Sequence, residues 1–115
     1  MPNKPYFRPE DSVLVLIDHQ LGTMQLVKTL DVERVSRLTL ALARAAKILN
    51  IPVVLTSSQE DYIQGPLLKE FKEIVPDAYE ARVKRQGIVN AWSDPAFRSA
   101  IERTGRKQIA MGGVT

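Results

Sequence analysis

Cysteine is absent from the sequence, and histidine occurs once, at His19. The first absence removes disulfides, thiolate zinc sites, iron–sulfur ligation and a cysteine nucleophile from these residues. The second removes a paired-histidine metal site such as H-E-x-x-H. A Ser-His-Asp triad would have to use His19, and no G-x-S-x-G occurs. Long apolar runs are lacking as well. The longest, Val13-Leu14-Val15-Leu16-Ile17, is far short of a membrane span, and the proline-containing N-terminus has no signal-peptide character. Nor is either sign of charge in large excess: the formal net charge is +3, too little to argue for nucleic acid. The expectation is a cytoplasmic protein with neither a membrane nor a nucleic-acid partner. Its 115 residues, 44% hydrophobic and 25% charged, suit one folded domain.

What is present alternates between strand and helix signals. Residues 1–12 carry three prolines and read as an extended arm. The apolar run 13–17 suits a strand buried on both faces. From Asp31 to Leu49, Val32, Val35, Leu38, Leu42, Ala45, Ala46 and Leu49 recur at three- and four-residue steps, predicting an amphipathic helix with Asp31 as N-cap and Asn50 as its stop. Residues 52–56 predict a second strand, so the unit is βαβ with a right-handed crossover. Gln64-Gly65-Pro66 predicts a turn, with Pro66 opening a short helix to about Glu73 and Pro76 ending it. Residues 77–91 carry no decisive pattern. Asp94 and Pro95 predict the N-cap and first residue of another helix, with Phe97, Ala100 and Ile101 as its buried stripe and Gly105 as its stop. Residues 108–111 predict a third strand. The fold class is α/β with a mainly parallel sheet. A buried-type strand with no covering helix after it reads as the front of a domain.

In open α/β sheets, ligands bind beyond the carboxyl ends of the strands. Those ends hold Asp18, His19 and Gln20, then Ser57, Ser58, Gln59 and Glu60, and finally Gly112, Gly113, Val114 and Thr115. Asp18 ends a wholly apolar run, so its carboxylate is partly desolvated and suited to act as a base; a cap or ion-pair role weighs about equally. Lys84 and Arg85 offer a positive charge, against the alternative of a solvated basic loop. Trp92 suits a pocket wall, although core or interface is the commoner fate of a tryptophan. Gly112 and Gly113 permit close backbone approach and an anion-holding loop. Neither G-x-G-x-x-G nor a P-loop is present, which speaks against nucleotide binding. His19 reads as a residue that packs, or that supports the site from behind it, rather than as a ligand.

These pieces, in order, resemble the isochorismatase-like cysteine hydrolase family, and within it the YcaC-like branch. The matching stretches are residues 13–20, 51–58, 65–67, 85–92, 104–108 and 113–115. The resemblance implies a three-layer α/β/α Rossmann-like domain of which residues 1–115 are the N-terminal portion. It implies a hydrolase acting on a small amide- or ester-like substrate through an Asp, a basic residue and a Cys. Asp18 matches the aspartate, and Arg85 the basic residue, with Lys84 as alternative. The cysteine's place falls three residues beyond Thr115. Gly113, Val114 and Thr115 would form the oxyanion loop, with a cis peptide at 113–114, and Gln20, Asn90 and Trp92 would line the substrate pocket. Related nicotinamidases carry a metal-binding D-x-H where Ser57-Ser58-Gln59-Glu60 stands, so neither metal nor other cofactor is expected. A homo-oligomer is implied, an octamer among the options. The competing readings are a non-catalytic scaffold of the same fold and, further off, a receiver-like or nucleotide-binding domain.

Overall fold

The computed structural model describes residues 6–114. Four parallel strands form one sheet in the order β3-β2-β1-β4: β1 (Ser12–Ile17), β2 (Val53–Ser58), β3 (Val83–Arg85) and β4 (Gln108–Gly113). Helix α1 (Val32–Ile48) crosses from β1 to β2, the short helices α2 (Glu70–Ile74) and α3 (Pro76–Glu80) lead to β3, and α4 (Pro95–Glu102) leads to β4.

The central strand explains the layers. Along β1, successive side chains point to opposite faces. Leu14 and Leu16 pack with Leu40, Ala43 and Ala46 of α1, Leu55 of β2, and Phe71 of α2. Val13 and Val15 pack with Val54, Ala91, Phe97 and Ile101 on the α4 side. A strand covered on both faces reads as a continuous apolar run, and this one does. The result is an α/β/α sandwich, the expected class.

Several local expectations are corrected. Residues 9–11 form a turn of 3₁₀ helix rather than continuing an extended arm, and Pro2 and Pro5 lie outside the described residues. Helix α1 buries Thr39, Leu40, Ala43 and Ala46, while Leu38, Leu42 and Leu49 are about half exposed. Asp31 stands at its N-cap without a side-chain capping bond. Pro66 starts no helix: its carbonyl accepts from the Leu21 amide, Leu67 bridges to Gln20, and α2 begins only at Glu70. Pro76 opens α3 instead of ending a helix, as a residue with no N–H to offer can. The undecided stretch contains β3. Asp94 caps α4 as expected, accepting from the Ala96 amide at 2.8 Å. No cis peptide occurs among the described residues, so the 113–114 bond is trans, the ordinary state where no proline lowers the cost of cis. Among the described residues no helix is long and apolar enough to cross a membrane.

Candidate active site

Strand β1 ends abruptly at Asp18. Its φ of 63° places it in the left-handed region, which aspartate tolerates better than most residues. The Asp18 amide still donates to the Thr56 carbonyl at 3.0 Å. The chain therefore leaves the sheet at Asp18 while its backbone stays pinned to β2. The carboxylate, 3% exposed, lies at the carboxyl edge of the sheet.

Arg85, the last residue of β3, is 1% exposed and reaches across to it. Nη1 donates to Oδ1 at 2.8 Å and Nη2 to Oδ2 at 2.9 Å, a fork-to-fork pair. The other three guanidinium donors are also taken: Nε by the Ile88 carbonyl at 2.8 Å, Nη1 by Thr56 Oγ1 at 3.0 Å, and Nη2 by the Val89 carbonyl at 3.5 Å. With five donors on five acceptors, Arg85 has no N–H left for a ligand. Its charge and geometry are committed to holding Asp18 and the 88–89 backbone. Lys84, its neighbour, points to the other side of β3 and is exposed. Of the two basic candidates, Arg85 is the one brought to Asp18.

Thr56 was not singled out by the sequence. Fully buried on β2, it accepts from Arg85 and donates to the Val83 carbonyl at 2.8 Å, so one hydroxyl fixes both the guanidinium and the start of β3. The polar ending Thr56-Ser57-Ser58 on an apolar strand is the signal that could have found it. A second pair stands beside this one. Glu60 accepts from Arg82 Nε at 2.8 Å and from the Ser57 hydroxyl. The hydrogen bond from Arg82 is the main reason its carboxyl lies below the ordinary range.

Gln20, expected to line the pocket, is instead fully buried. Its amide donates to the Ser58 and Gly65 carbonyls at 2.9 and 2.7 Å and accepts from the Ser58 amide at 2.9 Å. It staples the segment after β1 to the loop after β2. Gly22 completes that seam, because a Cβ there would stand 1.8 Å from the Ile63 carbonyl oxygen. His19 packs edge-on against Phe71 with its Nδ1 unpartnered, and burial lowers its pKa to about 4. It is a neutral packing residue.

Asn90 and Trp92 make their contacts with each other and with α4. The Asn90 side chain accepts from the Trp92 amide, and the half-exposed indole meets Phe97 edge-on at 6.2 Å. Gly113 pairs with Ile17, which brings the end of β4 beside the residue preceding Asp18. Val114 packs against the α1-side core, and Thr115 lies outside the described residues. Among the described residues no three His, Asp or Glu side chains gather as a metal set.

No protein-family model matches the chain. A curated Escherichia coli K12 protein, "Probable hydrolase YcaC", is 38% identical over 113 residues, covering 96% of this chain and 53% of its own length. The chain is homologous to YcaC. Two solved structures agree. YcaC from Pseudomonas aeruginosa, with hexane-2,5-diol and covalent acrylamide, superposes with a TM-score of 0.89 at 37% identity, covering 95% of this chain and 53% of that one. Escherichia coli YcaC, described as an octameric hydrolase of unknown specificity, gives 0.90 at 37% identity, covering 98% and 55%. The chain thus spans about half the length of the YcaC proteins it matches. The strand ends that carry Asp18, Thr56 and Arg85 lie well inside the shared stretch.

Proposed function

We propose that this chain carries the base-bearing half of a YcaC-like cysteine hydrolase site of the isochorismatase-like family, acting on a small amide- or ester-like substrate. The observation that carries the reading is the buried, bidentate Asp18–Arg85 pair at the carboxyl edge of a parallel sheet. Each carboxylate oxygen of Asp18 accepts one bond from Arg85, so each keeps a lone pair for a proton. In this reading Asp18 takes the proton of a thiol. The thiolate attacks the substrate carbonyl, and Asp18 returns the proton to the departing amine or alcohol. Water then cleaves the thioester by the same path in reverse. Arg85 orients the base and stabilises the thiolate through its field rather than by touching substrate. By the family resemblance Gly113, Val114 and Thr115 contribute the oxyanion loop, and Gly113 pairs with Ile17, the residue before Asp18.

The 115 residues contain no cysteine; in this reading, by the family resemblance, the nucleophile is a cysteine three residues beyond the position of Thr115. Acrylamide is an electrophile, and its covalent capture in the Pseudomonas aeruginosa structure agrees with a nucleophilic site in that relative. By likeness to the octameric Escherichia coli protein, the working form is a homo-oligomer.

The test uses a longer chain bearing that cysteine. Asp18→Asn is expected to remove turnover and to slow alkylation of the cysteine near neutral pH by at least tenfold. A longer chain with no cysteine at that place, or alkylation unchanged by Asp18→Asn, overturns the reading. A folded longer chain whose cysteine resists the reagent favours the non-catalytic scaffold.

A further inference from the structure

Just past the strand ends that hold Thr56 and Arg85, two glutamine amides meet across one loop. Gln59 follows β2 directly, and its backbone amide donates to the Arg85 carbonyl at 3.1 Å. Its φ is 48°. That region is uncommon for a residue without the short polar side chain of Asp or Asn, so local preference does not account for it. The Gln59 side-chain amide lies against Gly87 of the loop after β3, where an added Cβ would stand 3.1 Å from Nε2. Gln64, at the far end of its own loop, donates from Nε2 to Gln59 Oε1 at 3.2 Å. Two turn bonds bring the glutamines together: the Tyr62 amide donates to the Gln59 carbonyl at 3.1 Å, and the Gly65 amide to the Tyr62 carbonyl at 3.0 Å. A single bond leaves each side-chain amide half used. Gln64 Oε1 is shielded from water without a partner, and among the described residues Gln59 Nε2 has none either. A buried acceptor left unpaired costs more than a typical hydrogen bond returns, so it calls for a reason. Turning both amides over exchanges their roles and leaves the same set, one donor and one acceptor.

We propose that the Gln59–Gln64 pair is a subsite for a neutral amide edge, a C=O beside an N–H, as in a primary carboxamide, a lactam or a urea. Gln59 Nε2 donates to the ligand carbonyl, and Gln64 Oε1 accepts the ligand N–H. An ester satisfies the first and leaves the second unpaired, which is how a polar site rejects an analogue lacking one hydrogen-bonding group. A carboxylate brings only lone pairs to Gln64 Oε1 and is rejected as well. The group held here is not a group to be cleaved. The pair lies against the backbone of Arg85, whereas the Arg85 guanidinium is what reaches Asp18. Between the two glutamines, Tyr62 and Ile63 are 70% and 91% exposed and belong to neither core, so the loop tip can give way to a ligand without disturbing the sheet. The inference goes beyond the hydrolase reading and does not depend on the chemistry of Asp18.

The test titrates the chain with 2-pyrrolidone, a lactam, and with γ-butyrolactone, the ester of the same shape, and follows backbone amide shifts by NMR. The expected result is saturable shifts at Gln59, Gln64 and Gly87 with the lactam, and binding at least tenfold weaker with the lactone. Gln64→Met removes the unpaired acceptor, and Gln59→Gly suits the positive φ while removing the donor. Each is expected to weaken lactam binding at least tenfold and to leave the thermal midpoint unchanged or raised. A merely structural pair predicts the opposite, a lower midpoint in both variants. Shifts that do not saturate, equal binding of lactam and lactone, or lactam binding that survives both substitutions overturns the proposal. The titration reads binding without turnover, so its failure leaves the Asp18 reading standing, and loss of turnover in an Asp18 variant says nothing for or against the subsite.

Discussion

The Asp18–Arg85 pair is where one residue governs the most structure. Both partners are almost wholly removed from water, at 3% and 1% exposure. Such a pair contributes little net stability against an apolar substitute, but removing one partner strands the other charge. Arg85→Met is therefore expected to destabilise the chain by about 3–5 kcal/mol in urea unfolding. Arg85→Lys is expected to recover only part of this, because an ammonium cannot span both carboxylate oxygens, Thr56 and two carbonyls at once. Asp18→Asn combined with Arg85→Met should cost less than the sum of the single changes, and an additive result would show that the pair is not coupled. His19 sets the acid limit. Its folded pKa is near 4, below the ordinary 6.5. The unfolded chain therefore binds the proton first, and stability falls as pH drops from 6.5 towards 4, by roughly 3 kcal/mol in total. Glu60, held low by Arg82, contributes stability that is present above its ordinary pKa of 4.5 and is lost as pH falls through its lower folded value. A His19→Phe variant is expected to flatten the pH 4–6.5 slope and leave the loss below it. An unchanged slope in urea midpoints would remove His19 from the account.

At the scale of elements, helix α1 separates two kinds of apolar side chain. Leu40→Ala, at a position 7% exposed, is expected to cost about 2–4 kcal/mol, whereas Leu38→Ala, at a position 52% exposed, should cost less than about 1 kcal/mol. Thermal or urea unfolding of the two variants checks the ordering. The same helix shows why sequence reading places the helix but not its inner face. Two apolar stripes lie side by side, and the one richer in leucine is the one left open. Thr39, Ala43 and Ala46 are chosen by the sheet because small side chains permit close packing, a preference that hydrophobicity does not report. The strand ends were legible for a related reason. A buried strand is a continuous apolar run, and the first polar residue after it marks the sheet's carboxyl edge, so Asp18 stood out. Strand β3 was not legible. Val83-Lys84-Arg85 has no apolar run, and it is held by backbone pairing to β2 and by the Arg85 side chain, which only the tertiary structure supplies. The bonds that bury Gln20 were not legible either, since they depend on carbonyls 38 and 45 residues away.

For the whole molecule, protection should fall from the middle of the sheet outwards. β1 is paired on both sides and covered on both faces, so its amides open only when the domain does. β2 has the same double pairing, but its partner β3 spans three residue pairs. Among the described residues β4 is bonded to β1 alone and its outer edge is free. Native-state amide exchange on the 115-residue chain is therefore expected to be slowest in β1 and in residues 54–56 of β2, intermediate in β4, and fastest in residues 83–89. Arg85→Met should then raise exchange across 83–89 the most, because the side chain that ties Ile88, Val89 and Thr56 together is gone. The central residues of β1 should follow only the global loss of stability. Equal exchange in all four strands would mean that the sheet opens as one unit. The Asp18–Arg85 pair would then be an ordinary part of the core rather than the tie that holds an otherwise weak edge in place.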